Sequence, residues 1–190
     1  MNGFCERVVT FIHQKVTGPE KIRLLLTPLF AGFFFCLIFF IIGASFFMDR
    51  FLGFPEFIPK AYGRAVSLPF FIIGASLWVW SVWRFLRVKG TPVPVNPPPK
   101  LVTDGPYVYS RNPMLTGVFL FLAGIGILYG SVFLTFIATP VFVFVSILEF
   151  RYIEEPELER RFGKAYAEYR ARTPIIVPRF RRKKGTACVQ

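Results

Sequence analysis

The sequence is poor in the residues that most soluble chemistry uses. It holds one histidine and three cysteines in 190 residues, and charged residues make up only 18%. His13 stands alone, with no Cys, Asp or second His at ligand spacing, so it reads as a surface histidine. Cys5, Cys36 and Cys188 are scattered, which excludes a disulfide scaffold and gives no metal site. Cys188 lies third from the end, whereas a prenylation signal needs its cysteine fourth. A soluble domain carries about 25% charge; this chain has less, and its mean hydropathy is +0.51. Intrinsic disorder and collagen-like repeats are excluded by the same counts.

What is present is apolar and aromatic. Hydrophobic residues reach 54%, and 25 are Phe. Leu24 to Phe47 is a run of 24 residues without a charge, and Val66 to Trp83 is another of 18. Met114 to Leu148 is a stretch of 35, interrupted only by Tyr129-Gly130-Ser131. About 20 residues of helix cross a bilayer, so the long stretch holds two short spans joined by a tight turn. The sequence therefore predicts an all-α polytopic membrane protein with transmembrane helices at about 24–47, 66–86, 114–129 and 131–150. Pro28, Pro69 and Pro140 inside these runs predict kinks, not breaks. A β-barrel is a poor alternative because residues 32–42 do not alternate. The first run is also longer than the roughly 7–15 apolar residues of a signal peptide.

The net charge of +12 suggests nucleic acid until the basic residues are located. With four spans, 20 Lys and Arg fall on the side of the termini and 3 on the other. That asymmetry predicts cytoplasmic termini and a cytoplasmic loop at 87–113. The charge then serves topology and attraction to anionic headgroups, and nucleic acid is set aside. Residues 1–23 carry Phe4, Val8, Phe11, Ile12 and Val16 on one helical face, which predicts an interfacial helix ending at Gly18-Pro19. Residues 24–150 form the bundle, and 151–190 a cytoplasmic segment with a basic tail.

The membrane runs hold almost nothing reactive. No ionisable residue lies deep within any of them, and Glu149 comes closest. That disfavours a proton-coupled transporter. Polar residues gather in the 87–113 loop and in the segment 149–182. The loop begins with Pro92, Pro94, Pro97, Pro98 and Pro99, a stiff spacer. Its second part leads through Gly105-Pro106-Tyr107 to Arg111-Asn112-Pro113 at a helix start. Free amides beside a cation there suit an anionic group, and a plain interfacial turn reads as well. In the tail, Leu158, Phe162, Tyr166 and Tyr169 follow helical spacing, predicting an amphipathic helix after Pro156. Glu154-Glu155 before it either favour the helix dipole or hold an ammonium or a ribose diol. Gly124-Ile125-Gly126 lies inside an apolar helix and reads as close packing, not as a nucleotide loop.

Two strings resemble a family signature. Gly105-Pro106-Tyr107, Tyr109, Arg111-Asn112-Pro113-Met114 and Gly117 look like the cofactor-side motif of integral-membrane S-adenosylmethionine methyltransferases. Isoprenylcysteine carboxyl methyltransferases and phospholipid methyltransferases are examples. Glu154-Glu155, Leu158, Phe162-Gly163, Tyr166, Tyr169 and Val177-Pro178-Arg179 resemble the second half. Order, spacing and the apolar hairpin between them agree, over roughly residues 66–180.

The resemblance implies a membrane methyltransferase using S-adenosylmethionine, with S-adenosylhomocysteine as product. It implies a lipophilic acceptor (a lipid amine, thiol or carboxylate) and an integral protein of a bacterial or archaeal inner membrane. Lys100, Leu101, Val102, Tyr107, Arg111, Asn112, Pro113, Met114, Leu115, Glu154 and Glu155 would line the cofactor pocket. Arg151 would face the acceptor, and Glu154 would share the catalytic role with it. The isoprenylcysteine enzymes usually carry His where Asn112 stands and Tyr where Leu115 stands, which bears on the acceptor more than on the cofactor. The alternative is a non-enzymatic four-helix adaptor or lipid-binding protein that keeps the fold without turnover.

Overall fold

The structure is a computed structural model and describes residues 6–8, 10, 20–88, 90–91 and 98–176. All regular structure among these residues is helical. Helix α1 is Glu20–Leu52 and α2 is Lys60–Arg87. A 3-10 turn, Gly105–Val108, precedes α3, Pro113–Tyr129. The fourth rod joins a π turn at Leu134–Ala138, α4 at Thr139–Glu149, a second π turn at Phe150–Glu154 and α5 at Glu155–Phe162. Helix α6, Lys164–Arg172, follows. Leu25–Leu52, Lys60–Arg87 and Leu134–Phe162 are long and apolar enough to cross a membrane, and Pro113–Tyr129 is a shorter apolar helix. The fold is thus the expected polytopic membrane helix bundle.

Close packing of α2 against α3 explains the small residues. Gly63, Ser67, Gly74 and Ser81 are the buried residues of α2. A Cβ on Gly74 would stand 2.8 Å from the Gly117 carbonyl oxygen, and one on Gly117 would stand 2.6 Å from that of Gly74. Gly63 in turn meets the Ile127 carbonyl near the far end of α3, so the helices run antiparallel. Backbone-to-backbone approach of this kind is how membrane helices gain dispersion contact without a hydrophobic driving force. Ser67 and Ser81 donate to the carbonyls of Arg64 and Leu77 on their own helix, so they pack as small side chains.

The α3 turn forms as read from the sequence. Gly130 sits at φ +65, a conformation that suits glycine at a helix C-terminus. Ser131 then caps the fourth rod by accepting from the Leu134 amide at 3.0 Å. Asp49 of α1 reaches across and accepts from the Ser131 hydroxyl and, at 2.8 Å, from the Phe133 amide. Phe46 packs edge-on against Tyr129 beside this junction. Helix α1 is attached here, while its most apolar stretch is unburied.

Three expectations are corrected. The helical rod of the fourth span does not stop at 150 but runs on to Phe162, and the amphipathic helix expected after Pro156 is its last segment, α5. Each proline in it, Pro140 and Pro156, opens an α segment directly after a π turn. Proline lacks an amide donor and crowds the carbonyl four residues back; a wider i→i+5 turn accommodates both defects. The tail is not one amphipathic helix, since Gly163 at φ +54 and ψ −127 breaks it into α5 and α6. Helix α1 also exceeds the expected 24–47 at both ends. Glu6, Arg7, Val8 and Thr10 are helical, and Thr10 donates to the Glu6 carbonyl at 2.8 Å. Phe4, Phe11, Ile12, Val16, His13, Gly18-Pro19, Pro92, Pro94, Pro97 and Val177-Pro178-Arg179 lie outside the described residues.

Candidate functional site

The loop before α3 is fixed from below by α2. Arg84 pairs with Asp104 at 2.5 Å. Gly105, at φ +60, lies against the Arg84 and Trp80 side chains, where a Cβ would stand 2.7 Å from Arg84 Nε. The 3-10 turn then stacks the Tyr107 ring on Phe85, with centroids 5.1 Å apart and planes inclined by 13°. At the α3 start, Asn112 Oδ1 accepts from the Leu115 amide at 3.2 Å. Asn112 is therefore an N-cap, and Pro113 takes the first helical position, where a missing donor costs nothing.

The tail returns onto this loop. Tyr169 donates its hydroxyl to the Tyr107 carbonyl at 2.7 Å. The Ser110 hydroxyl donates to the Ile175 carbonyl at 2.6 Å. The Arg111 amide donates to the Pro174 carbonyl at 2.9 Å, and the Asn112 amide to the Ile175 carbonyl at 3.1 Å. Arg111 forms an ion pair with Glu155. The two polar segments, far apart in sequence, thus meet at one end of the bundle. The Arg111 guanidinium also lies 5.9 Å from the Phe150 ring centroid. Arg170 stands 4.0 Å from Glu155 and 3.1 Å from Glu159.

Among the expected site residues, Tyr107, Arg111, Asn112, Pro113 and Glu155 are brought together in this junction. Glu154 is half-buried, within electrostatic reach of Tyr107 and Tyr166. Arg151 is exposed on the second π turn, within electrostatic reach of Glu155. Val102 is buried, Leu101, Met114 and Leu115 are half-buried, and Lys100 is exposed at the loop's edge.

Two tyrosines absent from the expected pocket matter most. Tyr166 is 1% exposed and lies beside Arg111. Tyr169 ties tail to loop. Their helical spacing was visible in the sequence, but nothing there separated a core tyrosine from one aimed into a site. Burial holds the hydroxyls of Tyr107, Tyr166 and Tyr169 above the ordinary phenol range, so all three are neutral hydroxyls at physiological pH.

A membrane helix bundle with a polar junction at one mouth defines the class. Comparison with known proteins then gives the family. The sequence model of the phospholipid methyltransferase family matches residues 62–165, a span that holds α2, the loop, α3 and the fourth rod. The chain belongs to this family. It is also similar to the protein-S-isoprenylcysteine O-methyltransferase of Schizosaccharomyces pombe, with 36% identity over 81 residues. That alignment covers 41% of this chain and 33% of the yeast protein, so the chain matches about a third of its curated relative's length. No solved structure matches.

Proposed function

We propose that this protein moves a methyl group from S-adenosylmethionine to a lipophilic acceptor at the cytoplasmic membrane surface. The observation that carries the reading is the meeting of loop and tail through Arg111–Glu155 and Tyr169–Tyr107. The family match supports it, because Tyr107, Arg111 and Glu155 lie inside the matched span, while Tyr169 lies just beyond it.

The residues present suit such a methyl donor. Arg111 Nε is buried without a hydrogen-bond partner among the described residues, and Glu154 has like-charged Glu149 and Glu157 as its charged neighbours. Buried polar atoms of this kind are expected to meet a ligand or water. A carboxylate beside neutral tyrosines suits a cationic, hydroxyl-bearing ligand. Val102, Tyr107 and the first turn of α3, with Met114 and Leu115, offer apolar walls for an adenine ring, and Lys100 and Leu101 lie at the rim. The sulfonium supplies an already activated methyl group. What the chain adds is positioning, which removes the entropy of bringing two reactants into line.

An acceptor dissolved in the membrane has an approach along the fourth rod. Val141, Phe144, Val145, Leu148 and Tyr152 are exposed, and the stripe ends beside Arg151. Arg151 at that boundary is placed to hold an anionic or polar group of the acceptor. Excess Lys and Arg on the side of the termini supports their cytoplasmic placement.

The test is a radiolabelled methyl-transfer assay on native membrane extract, followed by identification of the labelled product. Label in a lipid-soluble species, dependent on the protein, is expected. A thermal-shift measurement with S-adenosylhomocysteine separates the adaptor alternative, since a ligand of the folded state raises Tm. No shift together with no label contradicts the enzyme reading.

A further inference from the structure

We propose that Arg84, on α2 and outside both motifs, is a positioning residue for methyl transfer: it holds the 101–112 loop in the shape that receives the methyl donor. This rests on the methyl-transfer reading above.

One face of α2 grips the loop at successive points. Ser81, Arg84 and Phe85 stand three and four positions apart, so they share that face. Arg84 Nη2 meets Asp104 Oδ2 at 2.5 Å. One residue on, Gly105 turns the chain at φ +60, and a Cβ there would stand 2.7 Å from Arg84 Nε and 3.3 Å from Trp80 Nε1. The guanidinium occupies the space that a side chain at 105 would take. Further along, the Tyr107 ring lies flat on Phe85 and is buried. Ser81 donates to the Leu77 carbonyl at 2.6 Å, which leaves its oxygen to accept from the Tyr107 hydroxyl. All these contacts come from α2, so the loop is held from below separately from the tail above.

The hold at Asp104 reaches the site through closed backbone. Asp104 is the N-cap of the 3-10 turn, and its carbonyl accepts from the Tyr107 amide at 3.2 Å. The Pro106 carbonyl then accepts from the Tyr109 and Ser110 amides at 3.2 and 3.3 Å. The next two amides, of Arg111 and Asn112, are those that meet the tail. A displaced Asp104 therefore carries the whole turn with it and moves Arg111 relative to Glu155. A planar guanidinium suits this task, because Nη2 on Asp104 and Nε against Gly105 together fix its orientation. Arg84 acts through the loop, on the geometry of Arg111 and of the Tyr107 carbonyl that Tyr169 holds.

The test is calorimetric titration of the full chain in nanodiscs with S-adenosylhomocysteine, with hydrogen–deuterium exchange of the unliganded protein beside it. Arg84→Met keeps an apolar stem and removes the charge. It is expected to raise the Kd by about twofold to fivefold, the upper range for a partly exposed ion pair. Exchange in peptides covering 101–112 should quicken, while exchange in Glu20–Leu52 stays as it was. A general loss of stability would quicken both.

The positioning role is read by rescue and by coupling. Arg84→Lys keeps a cation for Asp104 and should bind better than Arg84→Met. Asp104→Asn should lose as much as Arg84→Met, and the two together no more than either alone, because both remove one contact. An unchanged Kd in Arg84→Met overturns the proposal, and so does unchanged exchange in its loop. Arg84→Lys binding no better than Arg84→Met overturns it too, as do losses that multiply in the double variant. If the unaltered protein does not bind S-adenosylhomocysteine, the methyl-transfer reading itself fails, a separate outcome, and the exchange measurement still decides whether Arg84 holds the loop.

Discussion

The two ends of the bundle each place a carboxylate at a junction between distant segments, and they use it differently. At the Gly130 end, Asp49 accepts from the Ser131 hydroxyl and the Phe133 amide and so caps the fourth rod from another helix. At the Arg111 end, Glu155 pairs with Arg111, while Arg111 Nε is buried without a hydrogen-bond partner among the described residues and Glu154 has only like-charged Glu149 and Glu157 as its charged neighbours. The first junction fastens α1 to the bundle. The second fastens loop to tail and leaves polar groups over. Unmet polar groups in a buried setting are costly, so the buried Arg111 Nε supports the proposal that a ligand is met at this mouth.

Substitutions at the two ends should therefore separate stability from binding. The largest effect is expected for Arg111→Ala. It leaves the Glu155 carboxylate buried without its nearest cation, a loss of about 3–5 kcal/mol for a buried pair, and should lower both Tm and donor affinity. Asp49→Ala should lower Tm alone. Loss of a helix cap costs about 0.5–2 kcal/mol, and calorimetry with S-adenosylhomocysteine should give an unchanged Kd. If Asp49→Ala weakened binding as much as Arg111→Ala, the contrast between the ends would be lost. Tyr169→Phe removes one tail-to-loop hydrogen bond, worth about 0.5–1.5 kcal/mol, and should raise the Kd by a few-fold with a small change in Tm.

The smallest effect is one of pH. Burial raises the phenols of Tyr107, Tyr166 and Tyr169 above their ordinary value near 10. The unfolded chain would release those protons near pH 10, while the folded one retains them. Their contribution to stability is therefore fully present below that pH and lost as pH rises further. Chemical denaturation followed by circular dichroism should show no tyrosine-dependent change between about pH 7 and 9 and a decline above about 10.

Much of this was legible in the sequence, for a physical reason. Apolar runs without charges report membrane helices directly, so α3 falls within a residue of its expected bounds, while α2 starts six residues earlier than expected, at Lys60. The Tyr129-Gly130-Ser131 break is a real turn, because only a residue tolerant of positive φ ends the helix there. The fourth rod runs past 150 because the π turn Phe150–Glu154 carries the helix through to Pro156, a continuity that hydropathy does not report. Gly163 was the reverse case, a single flexible residue inside an amphipathic pattern that looked continuous. At the site, the resemblance brings the two motifs to one pocket, but which side chains pair is not legible. Nothing in the local sequence says that Arg111 faces Glu155 and not Glu154. Nor does hydropathy reveal that Asp49 caps a helix 84 residues away, since that bond exists only after the bundle closes.

The most direct measurement is the titration of the unaltered protein, in nanodiscs, with S-adenosylhomocysteine, repeated on Arg111→Ala. Saturable binding of one ligand per chain, lost in the variant, is the expected result. An unaltered protein that releases no heat and gains no thermal stability would contradict the claim that loop and tail together cradle a methyl donor.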